Sequence, residues 1–369
     1  MFPPGFDIFC RVVDNYGDIG VCWRLARQLA RQSMAGPVRL WVDDLQSFAR
    51  IEQTIDPHAS RQQAGGVELL RWTEPAPDLV PHGVVIEAFA CDLPPAFLAR
   101  MNDSLWINLE YLSAEGWVQE CHGLPSLQAN GVGKFFFFPG FTSRTGGLLR
   151  EPDLLSSQAE WASRPDRRWR LLHKIGMPAP LIEKLQRGWR QAFVFSYRDI
   201  PTTAVARALC RPERPTVAIV PQGVLPQMAA LQSDNFRVFE SPFVDQESFD
   251  RLLWCSDLNI VRGEDSLVRA IWAGKPFLWH IYRQADDAHL VKLDAWLAQA
   301  GYGEPIKQLL TALNLGDEPA FSCKLDQALQ AENWRRWARD CAALRDRLAS
   351  QSSLVERLLA FCAEKSRNG

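Results

Sequence analysis

The 369-residue sequence has no run of apolar residues approaching the ~18 that a membrane helix needs. Residues 1–13 carry no basic lead and no small-residue cleavage site, so they do not read as a secretory signal, and the expected location is cytoplasmic. Nine cysteines are scattered at 10, 22, 91, 121, 210, 255, 323, 341 and 362, with no C-x-x-C pair. An odd number without that spacing argues against a disulfide framework and against a zinc module, and predicts buried free thiols. The six histidines show no metal-ligand spacing beyond His280 and His289, and packing or surface positions are expected for both. A G-x-G-x-x-G dinucleotide fingerprint is also missing, which counts against a nucleotide-dependent oxidoreductase. Net charge is only -2, so there is no global basic field for nucleic acid. Lysine is scarce, at 8 of the 41 basic residues; the arginines leave room for a local patch only.

What is present is the mix of a globular protein, with 47% hydrophobic and 23% charged residues. At roughly 150 residues per domain, the length suggests two domains. The first forty residues read strand, turn, helix, strand. Phe6 to Val13 is β-rich, Asp14-Asn15-Tyr16-Gly17-Asp18-Ile19-Gly20 is a turn cluster, and Val21, Leu25 and Leu29 then recur at helical spacing. That β-α-β unit implies a parallel sheet covered by helices. Residues 84–88 and 105–109 read as further buried strands, and the Phe135-Phe136-Phe137-Phe138 run as a strand buried on both faces. Residues 142–190 change character, and the Arg-rich stretch 164–170 reads as a connection between domains. Strand–helix alternation restarts at Gln191. Residues 332–364 have helical spacing and are expected to pack across the domains.

Two motifs carry candidate chemistry. Asp14 to Gly20 sits where a strand hands over to a helix, at the edge of a parallel sheet where ligands of open α/β folds bind. Asp14 and Asp18 could serve there as a base or a cation-orienting pair, or could simply cap a turn and a helix. Arg262-Gly263-Glu264-Asp265-Ser266 repeats the arrangement. Its helix start offers free N–H groups to a diphosphate, with the Ser266 hydroxyl as a further donor and Glu264 able to accept from sugar hydroxyls. Phe243, Val244 and Gln246 follow one strand and Tyr197 follows another, where an aromatic and an amide could hold a nucleobase. Asp43-Asp44 and Asp286-Asp287 read as caps or solvated pairs rather than metal carboxylates.

Taken together these blocks resemble the bacterial elongation factor P arginine rhamnosyltransferases. The likeness rests on residues 14–21 and 23–27, Ile86-Glu87-Ala88-Phe89-Ala90-Cys91-Asp92-Leu93-Pro94, and Asn108-Leu109-Glu110-Tyr111-Leu112-Ser113-Ala114-Glu115. It continues through Arg262 to Ser266, Gly274-Lys275-Pro276-Phe277 and Trp279-His280-Ile281-Tyr282. Tyr16 stands where the family usually has Phe. The resemblance implies a GT-B fold, two Rossmann-like domains facing across a cleft. The expected divisions are 1–165 for the acceptor domain, 166–335 for the nucleotide-sugar domain, and 336–369 for a tail returning to the first domain. It also implies an inverting transfer of L-rhamnose from dTDP-β-L-rhamnose to an arginine of elongation factor P.

By the same resemblance Asp18 is the base, Asp14 its support and Glu264 a third catalytic acid. Asn15, Tyr197, Phe243, Gln246, Glu264, Asp265 and Ser266, with neighbouring Tyr16, Gly17, Val244, Arg262 and Gly263, make the expected donor site. No metal, cofactor, membrane or direct nucleic-acid partner is expected. The alternative is a GT-B enzyme with a small-molecule or lipid-linked acceptor; a non-catalytic sugar-nucleotide binding protein is a further rival.

Overall fold

The computed structural model describes residues 5–13, 16–101, 103–128 and 131–368, so Asp14 and Asn15 lie outside the described residues. The chain forms two compact units, Met1–Glu151 with Gln351–Gly369, and Pro152–Ser350. None of the described helices is long and apolar enough to cross a membrane.

The first unit is built on one eight-stranded sheet. Its strands are β1 (Phe6–Cys10), β2 (Val38–Val42), β3 (Arg61–Ala64), β4 (Val67–Arg71), β5 (Val84–Ala88), β6 (Leu105–Leu109), β7 (Pro125–Leu127) and β8 (Gly133–Phe137). Their order is β3-β4-β2-β1-β5-β6-β8-β7, parallel except for the outermost strands β3 and β7. Side chains of β1 alternate between two cores, as a period of two requires. Phe6, Ile8 and Cys10 pack with the helix Gly17–Ala30, whereas Phe9 stacks on Trp41 and meets Trp72 and Phe97 edge-on. Asp7, fully buried, is satisfied by Arg39 Nη2 and Trp41 Nε1, both at 2.8 Å.

The second unit is built on the five-stranded parallel sheet β11-β10-β9-β12-β13. These strands are β9 (Arg190–Val194), β10 (Thr216–Pro221), β11 (Phe236–Ser241), β12 (Leu258–Arg262) and β13 (Phe277–His280). Four of the five are buried along most of their length. Burial on both faces explains their continuous apolar sequences.

Several expectations are corrected. The units join at 151/152 and 350/351 rather than at 165/166 and 335/336. The helix Leu154–Ala162 already belongs to the second unit, where Gln158 Nε2 donates to the Ala273 carbonyl at 2.9 Å and Trp161 meets Trp254 edge-on. The Arg-rich stretch is no linker; it lies in the helix Asp166–Lys174, which buries Leu171 and Leu172. The tail is two helices, Ala331–Ala349 and Leu354–Asn368. The break is local chemistry. Ser353-Leu354-Val355-Glu356 closes a capping box, with Ser353 N–H donating to Glu356 Oε2 at 2.6 Å and Glu356 N–H to Ser353 Oγ at 3.3 Å. Of the four phenylalanines in the run, Phe137 and Phe138 are buried, while Phe135 and Phe136 are only half-buried beside the short outer strand β7.

Only the last helix returns to the first unit, and its Leu354, Val355, Leu358 and Cys362 complete that core. Arg357 Nη1 fastens it by donating to the carbonyls of Thr142 and Thr145, both at 2.6 Å. Leu358 is fully buried. Leu358→Ala is therefore expected to destabilise the first unit by about 2–5 kcal/mol, the range for a large-to-small core substitution, read by urea unfolding.

Candidate functional site

In an open parallel sheet, ligands bind beyond the carboxyl ends of the strands, where the order reverses. In the second unit that point lies between β9 and β12. Ser196 and Tyr197 follow β9, and Arg262 ends β12. Gly263 opens the helix Gly263–Ala273 with φ +63°, a conformation that a Cβ disfavours. Its carbonyl accepts from Trp279 Nε1 at 2.9 Å, which fixes the turn. The Arg262 guanidinium lies 4.6 Å from the Phe195 ring centroid and 4.8 Å from that of Tyr197. Glu264 and Asp265 sit half-buried in the first helical turn.

Ser266 departs from expectation. Its hydroxyl donates to the Arg262 carbonyl four residues back, so in this structure its hydrogen secures the helix start rather than pointing to a ligand.

Gln246, buried, begins the helix Gln246–Cys255 after the half-buried Phe243 and Val244. Asp245 caps that helix, accepting from Ser248 N–H at 2.7 Å. Asp250 and Arg269 join this helix to the Gly263 helix. Arg269 Nε reaches Asp250 Oδ1 at 2.9 Å and Nη2 reaches Oδ2 at 2.7 Å, with both side chains buried. This bidentate pair ties together the two helices whose N-termini carry Gln246 and Glu264.

His280, at the end of β13, was expected to be packing or surface and is buried beside the expected donor residues. Ser196 Oγ and His280 Nδ1 are 2.9 Å apart, and the Tyr197 ring meets the imidazole edge-on. Burial pushes the His280 pKa down to about 4, against the opposing pull of Asp199. A lone histidine without ligand spacing gave no sign of this in the sequence.

In the first unit the sheet order reverses between β1 and β5. Gly17 is the first residue of the helix Gly17–Ala30, and Asp18 is in its first turn with 3% exposure. Tyr16 occupies the cap position and makes no side-chain cap bond; its hydroxyl accepts from Arg50 Nη1 at 3.0 Å. Asp18 is therefore not the helix cap. Its Oδ2 accepts from the Val13 N–H at 2.9 Å, tying the strand exit to the helix start. Close to Asp18, the Cys10 thiol is held well above its ordinary pKa by a hydrogen bond with Cys22 and by burial, so it is no nucleophile. Among the described residues, no group of three or more His, Cys, Asp or Glu is placed to hold a metal ion.

Comparison with known proteins places these edges in context. The family described as elongation factor P (EF-P) rhamnosyltransferase EarP matches residues 6–363. A protein-arginine rhamnosyltransferase of Pseudomonas aeruginosa is 43% identical, over 97% of this chain and 99% of that protein. One from Neisseria meningitidis is 36% identical, over 98% and 97%. A solved structure concerning EarP-mediated arginine glycosylation of translation elongation factor EF-P superposes with a TM-score of 0.65 at 29% identity, covering 98% of this chain and 99% of that one.

His122 in the first unit behaves like His280. Its Nδ1 accepts from the Phe138 N–H at 3.0 Å, and burial lowers its pKa to about 4. Both rings bind a proton more readily in the unfolded chain, near 6.5, than in the folded one. Their contribution is whole above about pH 6.5 and is lost as pH falls toward 4. Urea unfolding across that window should show falling stability, and His122→Asn with His280→Asn should flatten the slope.

Proposed function

The chain belongs to the elongation factor P rhamnosyltransferase family, and from that premise we propose a donor of dTDP-β-L-rhamnose, an acceptor arginine on elongation factor P, and inversion at the anomeric carbon. It is a GT-B glycosyltransferase that places rhamnose on arginine. What carries the finer reading is Asp18. A buried carboxylate at the switch point of a parallel sheet, in the first turn of its helix, is suited to accept a proton from a cationic acceptor.

Guanidinium is fully protonated at neutral pH and is a poor nucleophile. A carboxylate can grip it and take a proton as a nitrogen bonds to the anomeric carbon. The bond from that carbon to the diphosphate oxygen breaks with its electron pair, and dTDP leaves. A single displacement of this kind turns the β-linked donor into an α-linked product. Asp18 is the base in this reading, and Asp14 supports or orients it.

The second unit holds the donor. The N–H groups and the dipole at the Gly263 helix start stabilise the departing diphosphate, so the mechanism needs neither metal nor cofactor. Glu264 accepts from the sugar hydroxyls and orients the ring, while Asp265 and the backbone N–H of Ser266 complete the helix-start site. Tyr197, Phe243, Val244 and Gln246 hold the base and sugar of the nucleotide. Arg262, carried on the Phe195 and Tyr197 rings, and Gly263 shape the diphosphate pocket. Asn15, Tyr16 and Gly17 are assigned to donor binding by the family resemblance. A translation factor as acceptor places the enzyme in the cytoplasm, with no need of a membrane or a nucleic acid.

Asp18→Asn keeps the size of the side chain and can still accept from Val13 N–H. It should bind dTDP normally in calorimetry yet lose transfer by about a hundred- to ten-thousand-fold in single-turnover assays, the usual span for a general base. Near-normal turnover would remove Asp18 from the base role. Glu264→Ala should instead weaken binding of dTDP-β-L-rhamnose, and Gln246→Ala binding of dTDP, each by about tenfold or more while the fold survives, as expected for lost hydrogen bonds to the ligand. Unchanged affinity in both would move the donor site elsewhere.

A further inference from the structure

Beyond β5 the backbone takes an uncommon path. Phe89, Ala90 and Asp92 have φ of +59°, +51° and +55°, in the left-handed region that non-glycine residues seldom occupy. Three hydrogen bonds impose it. Phe89 N–H donates to the Leu109 carbonyl at 2.7 Å, Ala90 N–H to Asn108 Oδ1 at 3.1 Å, and Asp92 N–H to Glu87 Oε1 at 3.1 Å. Glu87 is buried and is itself held through Oε2 by Trp106 Nε1 at 3.0 Å and Lys134 Nζ at 3.2 Å.

The outcome of this path is a surface feature. The Phe89 ring is stacked on the Tyr111 ring, with centroids 4.5 Å apart and planes 17° apart. Glu110 lies between Tyr111 and β6, half-buried at the same sheet edge. Its Oε1 accepts from Asn108 Nδ2 at 2.5 Å, so the amide that fixes Ala90 also fixes this carboxylate. Burial raises the Glu110 pKa above the ordinary carboxylate value, with Lys134 pulling the other way. An ionised carboxylate held in this way gains from a bound cation.

We propose that Glu110 and the Phe89–Tyr111 stack hold the guanidinium of the acceptor arginine, Glu110 by paired hydrogen bonds and the aromatic stack by contact with its flat face. This rests on arginine as the acceptor. A guanidinium is planar and presents its donors as a fork, so it suits a carboxylate beside an aromatic ring, whereas a lysine ammonium has neither plane nor fork. β1 and β6 are separated by β5 alone, so the exits leading to Asp18 and Glu110 are roughly 10 Å apart across two strand spacings. Glu110 is thus a specificity residue on the same sheet edge as Asp18.

The test is Glu110→Gln, with Tyr111→Leu beside it. For rhamnosyl transfer to elongation factor P, Glu110→Gln should raise the acceptor KM by about tenfold or more, as expected for a lost charge-assisted hydrogen bond. Tyr111→Leu should raise it by about two- to fivefold, the scale of an exposed cation–π contact. The affinity for dTDP and the urea unfolding midpoint should match wild type in both. An NMR titration with N-acetyl-arginine amide makes the same comparison without the protein acceptor: the wild type should shift signals at Glu110 and Tyr111, and Glu110→Gln should lose those shifts. Wild-type enzyme that leaves elongation factor P unmodified would fail the acceptor identity, and the arginine-amide titration would then judge the clamp alone. An unchanged KM with unchanged titration shifts would overturn the clamp, as would a change confined to dTDP affinity or unfolding.

Discussion

A strand paired in parallel with the one before it must be reached by a crossover, and this constraint arranges everything else in the molecule. It sends the strand-to-helix turns to one edge of each sheet. It also makes the two strands that flank a reversal of order diverge, leaving a space no crossover fills. In the first sheet the edge at that reversal carries Asp18, and in the second it carries Tyr197 and Arg262 to Ser266. Side chains here are held in place by local hydrogen bonds and by the elements behind them. The buried Asp250–Arg269 pair yokes the two helices that begin at Gln246 and Gly263. Breaking one partner would leave a charge buried and uncompensated, a loss of about 3–5 kcal/mol, so the pair fixes geometry as much as it stabilises.

The chemistry explains why acids recur at these edges. A nucleotide-sugar donor is anionic, and carboxylates beside it would be a liability if binding were their whole purpose. A permanently cationic acceptor changes that balance. In the proposed reaction a carboxylate holds the guanidinium, lowers the energy of bringing it to the donor, and accepts the proton that departs as the nitrogen becomes a nucleophile. In that proposed reaction the first unit serves the acceptor, and the second offers the nucleotide its helix N-termini and the Arg262 guanidinium backed by Phe195 and Tyr197.

Much of this was legible in the sequence, for identifiable reasons. The β13 span 277–280 and the helix following Gln246 could be read because buried parallel strands are continuous apolar runs and helices repeat near four. Glu264 and Asp265 were legible as a helix start because Gly263 precedes them. Other features depend on contacts that no local pattern encodes. The Ser266 hydroxyl turns back to Arg262, and His280 is driven neutral by burial that its neighbours in space, not in sequence, provide. The break in the tail was written in the Ser353–Glu356 capping box, but helical periodicity on both sides masked it. The left-handed Phe89 and Ala90 were invisible, since neither residue type signals positive φ; Asn108 and Leu109, eighteen to twenty residues on, impose it.

The most direct test of the account is mass spectrometry of elongation factor P after incubation with this enzyme and dTDP-β-L-rhamnose, with fragmentation to locate any adduct. The expected result is one added deoxyhexose on a single arginine, absent when the donor is omitted. An unmodified elongation factor P, or a sugar carried on any residue other than arginine, would contradict it.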